Sequence, residues 1–167
     1  MFQDEARFGR ISETRRCWAP RGMRPVVLHQ IVREYIYAFA AVCPLDGLMV
    51  SLILPCVNAL TMSIFLFEVS AQFPGEFILM FMDQASWHTA IELVIPKNMQ
   101  LELIPPYSPQ CNPTEHVWDE VREKWFANDA LKSMNAVEGR LVDALFTLEE
   151  DSSRVQYLTG FPWIVNA

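Results

Sequence analysis

The sequence predicts an α/β fold, a mixed five-stranded sheet flanked by helices. Three features predict it: β-type segments come first as a group with a tight turn between them, an unbroken apolar run ends in an acid, and strand-like and helix-like segments alternate thereafter. Such an order implies antiparallel pairing on one side of the sheet and crossover connections on the other.

Residues 2–8 alternate weakly between apolar and polar and form a first short strand, which carries Asp4 and Glu5. The stretch through Trp18-Ala19-Pro20-Arg21-Gly22 has turn residues and no period, so it is a loop or ragged hairpin. Residues 33–43 are β-branched and aromatic, Pro44-Leu45-Asp46-Gly47 turns the chain, and 48–54 returns as the partner of a hairpin too apolar to be fully exposed. Asn58 caps a helix that runs to about Gln72 and is stopped by Pro74-Gly75. Apolar residues surround most of that helix, which predicts that it is well buried. The run 76–82, closed by Asp83, fits a central strand buried on both faces. A helix at 87–94, a short strand at 101–104, a Pro-rich loop at 105–112 and helices at 113–126 and 134–150 complete the pattern. The tail after Ser152 is apolar enough to dock but has no period.

A chain of 167 residues, about half of them apolar, can bury a real core as one domain spanning 1–167. Pro or charge interrupts every apolar run well before the roughly 18 residues of a membrane span. Asp4 and Glu5 stand where a secretory signal would be basic, so an intracellular protein is expected. Cys17, Cys43, Cys56 and Cys111 have neither a C-x-x-C pairing nor a His at zinc-ligand spacing, and are expected as reduced thiols. The net charge of −7 argues against non-specific affinity for phosphate, but its distribution argues the other way. Arg7, Arg10, Arg15, Arg16, Arg21, Arg24 and Arg33 cluster between residues 6 and 33, where a single acid opposes them. That strip is either a solvated, twisted hairpin or a surface that tracks a DNA backbone.

Asp83 ends an apolar strand, and the carboxyl ends of strands are where reactive groups gather in open α/β sheets. A carboxylate there needs a cation, an arginine or capping amides, because burial alone would raise its pKa or destabilise the fold. Capping the following segment would be the structural role, and Asp4 has a similar context. For Glu115 the structural alternative is strong: Asn112-Pro113-Thr114-Glu115 has the cap, first-turn proline and third-position acid of a capping box. Three acids on separate elements are nevertheless what a divalent-metal phosphoryl-transfer site requires. Magnesium takes oxygen ligands and keeps several waters, and a pair of ions can activate the attacking oxygen and stabilise the leaving one. No G-x-x-x-x-G-K-[ST], G-x-G-x-x-G or G-x-S-x-G motif supplies another chemistry.

Three segments together are specific: Phe2-Gln3-Asp4-Glu5-Ala6-Arg7-Phe8-Gly9, Met82-Asp83-Gln84-Ala85-Ser86-Trp87-His88, and Pro105-Pro106-Tyr107-Ser108-Pro109-Gln110-Cys111-Asn112-Pro113-Thr114-Glu115-His116-Val117-Trp118. They resemble the catalytic motifs of DDE-type transposases of the bacterial insertion sequence 630 family, in the mariner superfamily, and the likeness extends over nearly the whole chain. The resemblance implies a ribonuclease H-like fold with Asp4, Asp83 and Glu115 as catalytic ligands of two Mg2+ or Mn2+ ions. It implies hydrolysis at transposon ends to free a 3′-hydroxyl and attack of that hydroxyl on target DNA, usually at TA. A dimer on DNA, in the cytoplasm and associated with the bacterial nucleoid, is expected with it.

Two departures stand out: Gln84 follows the second acid where relatives often have Asn, and thirty-one residues separate Asp83 from Glu115, on the short side for the superfamily. Full-length relatives carry helix-turn-helix domains before the first Asp, whereas Met1, Phe2 and Gln3 alone precede it here. End recognition is then expected from a separately encoded DNA-binding domain, or the chain is an inactive remnant or assembly subunit that keeps the fold. The clipped first strand predicts a thinly populated centre of the sheet. His88 is a weaker candidate near phosphate or metal, with a packed histidine as the alternative. Gln84 and Asp119 are candidates for supporting the ligands. Glu5 faces away from Asp4 as its neighbour on a strand. Trp118, Val121 and Trp125, at helical spacing, are core.

Overall fold

The computed structural model describes residues 1–12 and 14–166. β1 (Phe2–Ile11), β2 (Ile31–Cys43) and β3 (Leu48–Leu54) form an antiparallel group, and β4 (Ile78–Met82) and β5 (Met99–Leu103) add in parallel on the other side of β1. The order is β3-β2-β1-β4-β5, so β1 is central. It pairs with β2 from Phe2↔Val42 to Phe8↔Ile36, with an irregularity between Gly9 and Ile11. Asp4 therefore lies within a strand of 10 residues and not at the end of a short one. The β2–β3 turn depends on Gly47, whose φ is +74°, and a Cβ there would meet the Ser152 carbonyl oxygen at 1.9 Å.

Alternation along the strands divides the interior into two layers. Ala6, Phe8, Ala38, Ala40 and Val42 face one side, covered by α2 (Thr114–Val121), α3 (Met134–Glu150) and α4 (Ser152–Thr159) through Val117, Trp118, Val121, Leu141, Leu145, Leu148 and Val155. Phe39, Ala41, Val50, Met80 and Met82 face the other, covered by α1 (Ala59–Gln72) through Met62, Phe65, Leu66 and Val69. Each Val, Leu, Met or Phe side chain among them, once fully buried, contributes about 1.5–3 kcal/mol of hydrophobic free energy.

Asn58 caps α1 as its sequence suggests, with Thr61 completing a reciprocal capping pair. The helix is buried on one face only: Leu60, Ile64 and Phe67 are exposed, contrary to the expectation of a well-buried element. It lies on a single sheet face, so apolar composition alone overstated its burial. The expected helix at 87–94 does not form. Ala85 N–H donates to Asp83 Oδ1, His88 N–H to Ala85 O and Val94 N–H to Ser63 Oγ, so this segment spans the gap to Pro96 as successive turns. The expected helix at 113–126 is α2 followed by a wider π-helical turn, Arg122–Phe126. The tail forms α4, capped by Asp151, and α5 (Pro162–Val165). Among the described residues no helix is long and apolar enough to cross a membrane.

Candidate active site

Strand register brings two of the acids together. Phe2 and Phe81 are partners in the parallel β1–β4 pair, and their rings stack with centroids 5.1 Å apart. Two residues further along each chain come Asp4, within β1, and Asp83, just past the end of β4, and both line the same cleft. The third acid arrives through the start of α2. Asn112 Nδ2 donates to Gln3 O at 2.9 Å and Thr114 Oγ1 donates to Phe2 O at 3.0 Å, which fastens the helix start to the backbone of β1. The Asn-Pro-Thr sequence thus works as a clamp, a role its residue types alone did not reveal. Asn112 Oδ1 does accept from Thr114 N–H, but the cap position falls on Pro113, which has no side-chain cap bond. The Asn112–Glu115 capping box is not formed. Asp4, Asp83 and Glu115 instead line one cleft of about 500 Å³, together with Gln84, Asn112 and the loop from Pro105 to Pro109. Tyr107 in that loop has a φ of +57°, left-handed backbone that is costly for a bulky residue.

Electrostatics distinguish the acids. Burial, followed by the nearby charges of Glu115 and Glu5, pushes the Asp4 carboxyl up to about 8, although it keeps an accessible edge at the cleft. Its Oδ2 accepts a hydrogen bond from Trp118 Nε1 at 3.1 Å, so Trp118 is both core and a support for Asp4. Asp83 is more exposed, and the hydrogen bond from His88 outweighs partial burial to hold its carboxyl below the usual range. His88 is buried, with Nδ1 2.7 Å from Asp83 Oδ1 and Nε2 3.0 Å from Glu5 Oε1. Ionised carboxylates only accept, so an imidazole between two of them carries a proton on each nitrogen. Burial opposes that charge, yet the hydrogen bonds to Asp83 and Glu5 prevail and raise His88 to about 10.

The donor set is all oxygen, as a hard divalent cation requires, and a cation at the cleft would reverse the electrostatic cost of ionising Asp4. The side chains as they stand are not a finished coordination sphere. Among the described residues no three His, Cys, Asp or Glu side chains form a group close enough to hold one ion. One oxygen of Asp83 is committed to His88 and to Ala85 N–H, and one oxygen of Asp4 to Trp118. Each of these two carboxylates retains a second oxygen, so the residues present fit such ions chemically.

Of the supporting candidates, Gln84 lines the cleft and ties β4 to the end of β5 through a 3.0 Å bond to Ile104 O, while Asp119 is exposed and lies outside the cleft lining. The arginines divide. Arg10 is engaged with Leu131 O and Glu34, and Arg7 lies 4.4 Å from the centroid of the Tyr35 ring. Arg15 approaches Glu123 at 4.0 Å and its N–H donates to Asn128. Arg16, Arg21 and Arg24 are exposed on the long excursion between β1 and β2.

A mixed five-stranded sheet with helices on both faces, like the fold of the Mos1 transposase structure, defines a ribonuclease H-like α/β domain, and acids line one cleft beside its central strand. The chain belongs to the DDE superfamily endonucleases, whose family model matches residues 1–138. It is 35% identical over 104 residues to the uncharacterized protein y4pE/y4sA of Sinorhizobium fredii (strain NBRC 101917 / NGR234), covering 62% of this chain and 77% of the relative. Among solved structures it resembles the Mos1 transposase paired-end complex with left transposon end (TM-score 0.61, 15% identity, 95% of this chain). It also resembles a pre-cleavage Mos1 transpososome (TM-score 0.61, 12% identity, 96% of this chain). In both cases the chain spans 55% of the Mos1 transposase chain.

Proposed function

We propose that this chain is the catalytic domain of a DNA transposase that cuts transposon ends and joins the freed 3′-hydroxyl to target DNA. The observation that carries the proposal is the convergence of Asp4, Asp83 and Glu115, from three separate elements, on one cleft. In this reading the three carboxylates hold two divalent ions. When bound, such ions lower the pKa of the attacking oxygen and stabilise the leaving oxygen. Trp118 orients Asp4, His88 orients Asp83, and the clamp of Asn112 and Thr114 on β1 fixes the approach of Glu115. Arg16, Arg21 and Arg24, with Arg7 and Arg15 at their margin, supply positive charge for the phosphate backbone, whereas Arg10 ties β1 to Leu131 and Glu34. Mos1 structures with Mn and with Mg, and with a transposon end, support the same metal and substrate class here. The work would be done in the cytoplasm, on nucleoid DNA, as a dimer and with end recognition from a further DNA-binding segment.

The absence of a preformed three-ligand group among the described residues favours a second reading, an inactive remnant or assembly subunit that keeps the fold. One experiment separates them. Labelled DNA carrying exposed transposon ends is incubated with the protein and Mg2+ or Mn2+, and hydrolysis and strand transfer are resolved on a denaturing gel. Metal-dependent products that vanish in Asp4→Asn and Glu115→Gln support the transposase. No hydrolysis and no joining under either metal would favour the remnant.

A further inference from the structure

We propose that Glu5 is a positioning residue that acts through His88 to fix the orientation of the Asp83 carboxylate. The proposal rests on the reading of Asp83 as a metal ligand. Glu5 follows Asp4 directly and, by the alternation of a strand, faces the opposite side of the sheet. It has no route to the cleft of its own and is not among the cleft-lining residues. Its Oε1 accepts from two donors brought by the turn segment after β4: His88 Nε2 at 3.0 Å and Trp87 Nε1 at 3.2 Å. From there the imidazole reaches around the end of β4, with Nδ1 2.7 Å from Asp83 Oδ1 and 3.0 Å from Asp83 O. The path is enclosed, the His88 side chain being 0% and the Glu5 side chain 7% exposed.

The chemistry of this chain of contacts is that of a support and not of a reactive group. A buried carboxylate with two donors on one oxygen is a fixed anchor, because losing either bond would strand a buried polar group. The imidazole is rigid and its two nitrogens point in different directions, so fixing Nε2 on Glu5 fixes where Nδ1 points. Asp83 is exposed, follows the last strand residue and, among the described residues, is otherwise hydrogen-bonded by Ala85 N–H. Residues that orient a ligand in this way typically change metal affinity by roughly 10–100-fold when removed. Trp87 and His88, which make the bonds to Glu5, lie in the segment that forms turns where a helix was expected.

Mn2+ titration by calorimetry tests this on the whole chain, with circular dichroism and thermal melting as the check on folding. The proteins are wild type, Asp83→Asn, Glu5→Ala, Glu5→Gln, His88→Phe and the Glu5→Ala, His88→Phe double variant. Asp83→Asn and the two single variants Glu5→Ala and His88→Phe should each bind Mn2+ about tenfold more weakly than wild type. Glu5→Gln, whose amide oxygen still accepts from Nε2–H, should stay within roughly threefold. The double variant should bind no more weakly than His88→Phe, because Glu5 acts only through the imidazole. His88→Phe fills the slot with an apolar ring, so it remains informative even if Glu5→Ala does not fold. Wild type that binds no Mn2+ would remove the metal reading and this proposal with it. Binding that Asp83→Asn weakens while His88→Phe or folded Glu5→Ala leaves it unchanged would overturn this proposal alone, as would an additive loss in the double variant.

Discussion

Replacing Asp4 by asparagine should stabilise the metal-free protein, and increasingly so as the pH rises. The Asp4 carboxyl moves from an ordinary 3.8 to about 8, chiefly through burial and then through the charges of Glu115 and Glu5. Between those values the folded protein holds a proton that the unfolded chain has released. The stability it contributes is complete below 3.8 and is lost as pH rises through 8. At about 1.4 kcal/mol per pH unit that interval sets a ceiling of roughly 6 kcal/mol. The accessible edge of Asp4 permits relaxation, which brings the expected effect to about 2–4 kcal/mol, or roughly 5–15 °C in melting temperature for a chain of this size. Asparagine keeps an oxygen for Trp118 Nε1–H, so the substitution removes charge and little else. Urea melts of both proteins from pH 5 to 9 in a chelator give the difference curve directly. Groups common to both, such as His88, whose contribution fades as pH rises through about 10, cancel in it. The difference should be small near pH 5 and grow to a plateau above pH 8. A flat difference, or an Asp4→Asn protein less stable than wild type at pH 9, would refute the enclosed, like-charged environment assigned to Asp4.

Other expectations follow from the same packing. Trp118→Phe leaves Asp4 Oδ2 without its donor and should cost about 1–3 kcal/mol in urea unfolding, with a greater loss above pH 8 than below pH 5. Leu141→Ala, which opens a hole beneath fully buried sheet residues, should cost about 2–5 kcal/mol by the same assay. Replacing Arg16, Arg21 and Arg24 together by Ala should weaken DNA binding while leaving the melting temperature unchanged. It should also reduce the slope of log affinity against log salt by roughly 2–3. Arg10→Ala, which removes bonds to Leu131 O and Glu34, should reverse that pattern, with lower stability and a salt slope close to wild type.

Much of the fold was legible where local signals and tertiary context agree. The hairpin turn at Pro44-Leu45-Asp46-Gly47, the Asn58 cap and the periodicity of 134–150 each lead to the element observed. Context defeated the sequence in three places. A helix is expected at 87–94, but Trp87 and His88 bond instead to Glu5 and Asp83, and the segment forms turns. The outer face of α1 is apolar yet exposed, because composition does not say which side a sheet will cover. The C-terminal α4 and α5 are too short to show a period, and α4 is fixed by burying Val155 and Thr159. For the site, Asp4, Asp83 and Glu115 were visible as residues, and their shared cleft follows from the β1–β4 register and the Asn112 and Thr114 clamp, both long-range facts. Strand alternation puts Glu5 on the opposite face from Asp4, and Glu5 is not among the residues that line the cleft. Its link to His88, eighty-three residues away, has no sequence signature.

The account depends on three carboxylates sharing divalent ions, and anomalous diffraction from crystals of the protein grown with Mn2+ examines that directly. The account predicts Mn2+ peaks in the cleft, with oxygens of Asp4, Asp83 and Glu115 at roughly 2.0–2.3 Å. Peaks confined to surface acids such as Asp119, with Glu115 turned out of the cleft, would contradict it.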